Sequence, residues 1–210
     1  ILNDLVSNCM IGIIVGGRLG YVIFYNPEYF FVNIIEVFKI WNGGMSFHGG
    51  LIGVILAIIY SSWTSKIPII VFSDLISIVS PIGLFFGRLA NFINGELFGR
   101  VTNHPFGMIF PNGGKLPRHP SQLYEAFFEG LVLLFIMIFL MKKSNFFEKR
   151  GFLTASFLFF YGIFRFFIEY FREPDGHIGY IYFNFSMGQI LSFPMIIFGL
   201  YFMTIFYNKK

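Results

Sequence analysis

Residues 68–100 read PIIVFSDLISIVSPIGLFFGRLANFINGELFGR. The run is apolar from Pro68 to Phe86 with Asp74 as its one ionisable residue. It then breaks into Arg88, Asn91, Asn94, Glu96 and Arg100, punctuated by Gly87, Gly95 and Gly99. A helix rising 1.5 Å per residue over Pro68–Phe92 crosses the ~30 Å hydrocarbon core of a bilayer. The stretch therefore predicts a membrane span that ends in the densest polar cluster of the chain.

The rest of the chain fits that reading. Hydrophobic residues make up 56% and charged residues 12%, with a mean hydropathy of +0.70; a soluble domain carries about a quarter charged residues to cover its surface. Six apolar runs stand out: Leu5–Tyr25, Met45–Trp63, Pro68–Phe92, Ser121–Met141, Gly151–Phe171 and Ser186–Tyr207. Each runs for roughly 19 to 25 residues, and none alternates as a lipid-facing strand would. The expected fold class is an all-α integral membrane protein, a polytopic helical bundle forming one transmembrane domain over 1–210. The net charge of +4 does not imply nucleic acid, because the charges punctuate span ends instead of forming one stripe. Cys9 is the single cysteine, so neither an internal disulfide nor a multi-cysteine metal site is available. No pair of histidines has metal-ligand spacing, and no metal or cofactor is expected.

Topology follows from the loop charges. Lys66, Lys142, Lys143, Lys149, Arg150, Lys209 and Lys210 fall on one side, in short dense clusters; Lys39, Arg100, Lys115, Arg118 and Arg172 fall on the other. The positive-inside rule makes the first side cytoplasmic. The stretch FFVNIIEVFKIW, residues 30–41, spaces Asn33, Glu36 and Lys39 three apart and reads as a short helix in the outer interface. Residues 94–120 form an outer polar loop region in which FPNGGKLP, residues 110–117, can turn a hairpin. Gly12, Gly16 and Gly20 mark one face of the first span for close helix packing.

Ionisable groups inside a bilayer are costly, yet Arg18, Asp74, Arg88, Glu125, Glu129, Arg165 and Glu169 lie in or near spans. In FFYGIFRFFIEYFREPDG, residues 159–176, Tyr161, Arg165, Glu169 and Arg172 share a helix face at spacings of three and four. Either Arg165 and Glu169 neutralise each other, or two arginines against one glutamate leave positive charge for an anion. Arg88, Asn91 and Gly95 similarly share a face at an outer span end, as a snorkelling cap or as an anion site. A guanidinium takes phosphate through a planar fork, and Asn amides suit glycerol hydroxyls. His48, in GGMSFHGGLIG (43–53), is either an interfacial structural histidine or a base titrating near neutrality. His119, in LPRHPSQLYE (116–125), opens a span whose inner face carries Gln122, Glu125 and Glu129; His104 and His177 read as solvated loop residues.

Four motifs, GRLANFINGE (87–96), HGG (48–50), RHPSQLYE (118–125) and YGIFRFFIEYFREPD (161–175), together resemble the phosphatidylglycerol–prolipoprotein diacylglyceryl transferase family across nearly the whole chain. The resemblance implies a seven-span bacterial inner-membrane enzyme with its active site toward the outer face. Such an enzyme moves diacylglyceryl from phosphatidylglycerol to the lipobox cysteine of a prolipoprotein signal peptide and releases glycerol phosphate. By the same resemblance Arg88, Asn91, Asn94, Glu96 and Gly99 bind the phospholipid. Arg165, Glu169 and Tyr161 form a second charged station, His48 is the candidate base, and Tyr21 (in GGRLGYVIFYN, 16–26), His119 and Arg172 line the cavity. The chain begins at Ile1, and with six spans visible the family's first span is expected to precede it. Rival readings have less support. An anion transporter of inverted halves should show an internal repeat, and a serine protease should show G-x-S-x-G; neither pattern is visible.

Overall fold

The computed structural model describes residues 1–144, 149–174, 181 and 185–208. His177, Lys209 and Lys210 lie outside them. Among the described residues every regular element is helical. Five helices are long and apolar enough to cross a membrane: α1 Leu2–Phe24, α3 Phe47–Ser65, α4 Ile69–Ile93, the continuous segment Ser121–Lys143, and α8 Met187–Asn208. The remaining expected span is α7, Phe152–Ile168, an apolar helix of 17 residues at the short end of the spanning range. The protein is a multi-pass helical membrane protein. It divides into two compact units, Ile1–Phe72 and Ser73–Lys210.

In the first unit α1 and α3 pack through glycine. A Cβ on Gly20 would sit 2.8 Å from the Gly49 Cα, and one on Gly49 would sit 2.9 Å from the Gly20 Cα. Gly12 and Gly16 abut Gly53 in the same way. Small residues give the dispersion contact that holds helices together where lipid supplies no hydrophobic drive. Ser46 caps α3, its Oγ accepting from the Gly49 N–H at 3.2 Å, while its own N–H donates to the Gly17 carbonyl.

The buried Arg18 organises the segment between α1 and α3. Its guanidinium donates to the carbonyls of Glu36, Val37, Lys39, Gly43 and Gly44 and lies 5.0 Å over the Phe30 ring. A continuous helix would use most of those carbonyls internally. Residues 27–42 accordingly form α2, Pro27–Val32, and two 3-10 turns, Ile34–Phe38 and Ile40–Asn42, where the spacing predicted one helix over 30–41.

The second unit contains most of α4, α7, α8 and the segment built from α5 Ser121–Glu125, a π turn Ala126–Val132 and α6 Leu133–Lys143. Its apolar core joins Leu133 and Met137 of α6 to Phe152 and Leu153 of α7. Asp74 of α4 explains one in-span charge. Its carboxylate accepts from the Gly151 N–H at 2.6 Å, the Thr154 N–H at 2.7 Å and the Thr154 hydroxyl at 2.6 Å, capping α7 from a neighbouring helix. Glycine at 95, with φ +65°, turns the chain out of α4. Met108 and Arg118 then pair antiparallel around FPNGGKLP, the hairpin the sequence predicts. Arg100 N–H donates to the Phe171 carbonyl, tying this segment to the residues that follow α7, while Gly99 N–H donates to the His119 carbonyl within it.

Candidate functional site

Three helices of the second unit bring a buried ionic cluster together. Arg88 comes from the last turns of α4, Glu125 and Glu129 from the α5–π segment, and Arg165 and Glu169 from the end of α7. Glu125 Oε2 is 2.7 Å from Arg88 Nε and 3.1 Å from Arg165 Nη1, so one oxygen joins both arginines. Glu129 stands farther off, 3.7 Å from Arg88 Nη2 and 3.6 Å from Arg165 Nη1. Glu169 pairs with Arg165 Nη2 at 2.9 Å and accepts from the Ser186 hydroxyl at 3.0 Å. Both Glu125 and Glu129 are fully buried, while the Arg88 side chain keeps 18% of its surface. A lone buried charge costs several kcal/mol, and attraction at close range offsets that cost only where the partners meet well. The convergence of these groups is thus what makes them tolerable in an apolar bundle.

The sequence reading expected surplus positive charge along the Arg165 stripe. The geometry corrects this: Glu125 and Glu129 are partners that reading placed on a separate helix face and left unconnected. Their signal was present, since two carboxylates four residues apart in an apolar helix require cations. The π turn carries Glu129 in this segment, and such turns recur at functional sites. Tyr161 lies one turn before Arg165, its ring stacked on Phe157 at 5.7 Å.

The residues after Arg88 form a polar rim. Glu96 Oε1 accepts from Asn91 Nδ2 at 2.8 Å and from Asn94 Nδ2 at 3.4 Å, and Glu96 is exposed. Gln122 Nε2 donates to the Glu96 carbonyl at 2.6 Å, joining the rim to the helix that carries Glu125. Gly99 is buried, and a Cβ there would lie 2.7 Å from the His119 carbonyl oxygen. That position requires glycine for packing. His119 Nδ1 lies 3.3 Å from the Tyr124 hydroxyl, and its ring meets Phe171 edge-on at 5.2 Å. Burial, and then the neighbouring His104, push the His119 imidazole below its ordinary pKa. Arg172 pairs with Gly99 in an antiparallel bridge, and its carbonyl accepts a hydrogen bond from Arg100 Nε at 2.8 Å.

His48 and Tyr21 belong to the first unit. His48 is exposed in the first turn of α3, edge-on to Phe47 at 5.7 Å. Tyr21 stacks on Tyr25 at 5.3 Å and lines a polar cavity of about 190 Å³ with Arg18, Asn26, Tyr29 and Asn42. Among the described residues no group of three or more His, Cys, Asp or Glu could hold a metal ion.

A family model described as prolipoprotein diacylglyceryl transferase matches residues 1–205. The chain is 55% identical over 200 residues to a Rickettsia felis protein named phosphatidylglycerol–prolipoprotein diacylglyceryl transferase, covering 95% of this chain and 77% of that one. Proteins of the same name from Rickettsia bellii and Rickettsia canadensis are 54% and 55% identical, covering 95% and 94% of this chain and 76% of each relative. With its arginine–glutamate cluster set in apolar helices, and with these matches over nearly its full length, the chain belongs to the prolipoprotein diacylglyceryl transferase family.

Proposed function

We propose that this protein transfers the diacylglyceryl group of phosphatidylglycerol to the lipobox cysteine of prolipoprotein signal peptides at the outer face of a bacterial inner membrane. The observation that carries the reading is the pair of partly buried arginines, Arg88 and Arg165, held on one carboxylate oxygen in an apolar bundle. The relatives' names supply the substrates.

The reaction breaks the bond between a glycerol carbon and a phosphate oxygen and forms a carbon–sulfur bond. The thiol, with a free pKa near 8.5, must lose its proton to become an effective nucleophile. The departing phosphate gains negative charge as the C–O bond lengthens, and the thiol's proton ends on the released phosphate monoester. Preorganised guanidinium donors stabilise such charge, each typically worth a few kcal/mol. Arg88 holds the headgroup phosphate, with Asn91, Asn94 and Glu96 presenting amide and carboxylate groups to the glycerol. Gly99 packs that rim. Arg165, oriented by Glu169 and neighbouring Tyr161, supports the charge from the second side. His48, exposed in the first turn of α3, is the base that the family resemblance offers for the thiol. His119 and Arg172 contribute to the walls of the substrate cavity in the second unit, and Tyr21 lines the polar cavity of the first.

The test is reconstitution in liposomes containing phosphatidylglycerol, with a lipobox peptide added. Glycerol phosphate release and the diacylglyceryl mass gain of the peptide should rise together. Release without the mass gain, or neither, would overturn the reading.

A further inference from the structure

The ionic cluster holds two arginines and three glutamates, so with all five groups ionised negative charge exceeds positive by one. Arg100, whose Nη2 reaches the Glu169 carbonyl at 3.3 Å, would only bring the balance to neutral. A site built simply to bind phosphate would not place so many carboxylates against its own guanidinium groups. Glu129 sharpens the point. It is fully buried, and neither of its oxygens accepts a hydrogen bond from a described residue, standing instead 3.6 and 3.7 Å from the arginines.

We propose that Glu125 and Glu129 are internal counterions that make the arginine pair hold a singly charged phosphodiester and release a doubly charged phosphate monoester. The inference rests on the function proposed above and deepens it. In that reaction the substrate phosphate is a monoanion. The product is a monoester whose second ionisation lies near pH 6, so at pH 7 it carries about −1.5 to −2. Two arginines without counterions would bind the product more tightly than the substrate, and each turnover would end trapped. Carboxylates a few ångströms from the guanidinium groups repel the second negative charge more than the first, because the Coulomb penalty scales with ligand charge. Glu125, touching both arginines, acts through them and is a positioning residue. Glu129 adds charge at longer range, without a hydrogen bond to either arginine.

The test compares wild type, Glu125→Gln, Glu125→Asp and Glu129→Gln in the same liposomes, after checking insertion and thermal unfolding. The quantities read are the KM for phosphatidylglycerol, kcat, and the inhibition constant for added glycerol phosphate. Glu125→Gln should become about tenfold more sensitive to glycerol phosphate and lose kcat, with a KM that is unchanged or lower. Glu125→Asp, which keeps the charge, should stay near wild type. Unchanged inhibition in an inserted Glu125→Gln protein would overturn the proposal, as would a rise of KM and inhibition constant together, the signature of lost geometry alone. Should Glu125→Gln fail to insert, Glu129→Gln is judged by the same criteria. Direct titration of glycerol phosphate and of short-chain phosphatidylglycerol onto each variant needs no turnover. A wild type that transfers nothing but still prefers the diester, with the preference lost in Glu125→Gln, would remove the transferase reading and leave the counterion role standing. Loss of neither preference nor transfer would remove the counterion role alone.

Discussion

Arg88 meets Glu125 through Nε and approaches Glu129 through Nη2. Replacing it by alanine should reduce diacylglyceryl transfer by about 100-fold or more while the protein still inserts, by analogy with removal of one preorganised charge-stabilising donor. Arg88→Lys should rescue little, because a point charge lacks the planar fork. Peptide mass gain in liposomes reads both, and near-wild-type rates in an inserted Arg88→Ala protein would remove Arg88 from the phosphate site. His119 gives a pH prediction. Burial keeps its folded pKa below the ordinary value of about 6.5, so as pH falls through that value the unfolded chain takes the proton first. Stability is therefore full above about pH 6.5 and declines below it. Thermal unfolding in detergent should show that decline, and His119→Gln should show less of it.

At the scale of elements, two helix contacts are set by single residues. Asp74 accepts from three donors at the start of α7. Asp74→Ala should lower stability by roughly 2 kcal/mol or more, since it removes a cap and leaves buried donors unpaired, and Asp74→Asn should cost less. The α1–α3 contact depends on Gly49, where a Cβ would press on the Gly20 Cα at 2.9 Å. Gly49→Ala should destabilise by about 1–3 kcal/mol through overpacking. Gly50→Ala should be tolerated, because its Cβ would meet nothing closer than the Ile13 carbonyl at 3.7 Å. Denaturant titration of the two glycine variants side by side separates packing from a general intolerance of alanine in α3. The glycine repeat of α1 was legible in the sequence because a fourfold spacing marks one helix face. The trans-cap by Asp74 was not, because no local pattern links residues 74 and 151.

At the scale of the whole molecule, the positive-inside rule predicts Lys142, Lys143, Lys149 and Arg150 in the cytoplasm and residues 94–120 outside. In a Cys9→Ser background, an impermeant thiol reagent applied to intact cells should label a cysteine at Lys115 and leave one at Lys143 unmodified. The reverse pattern would invert the topology and move the proposed site to the other face.

The helical class and the places where spans begin and end were decided by the sequence itself. Hydrophobic run length and the distribution of charge act locally, and a bilayer leaves the backbone few ways to satisfy its hydrogen bonds. The residues of the site were also named in the chain: Arg88, Arg165, Glu169 and the rim of Asn91, Asn94 and Glu96 all stood out as polar groups in apolar surroundings. Their charge balance was not visible there. Glu125 and Glu129 lie on another helix, 37 and 41 positions beyond Arg88. Likewise, five backbone carbonyls converge on Arg18 only after the segment folds back on α1. Only tertiary structure could decide which buried charges meet, because the energy of a buried ion pair depends on distances of a few ångströms across helices, and no spacing along a single helix encodes those.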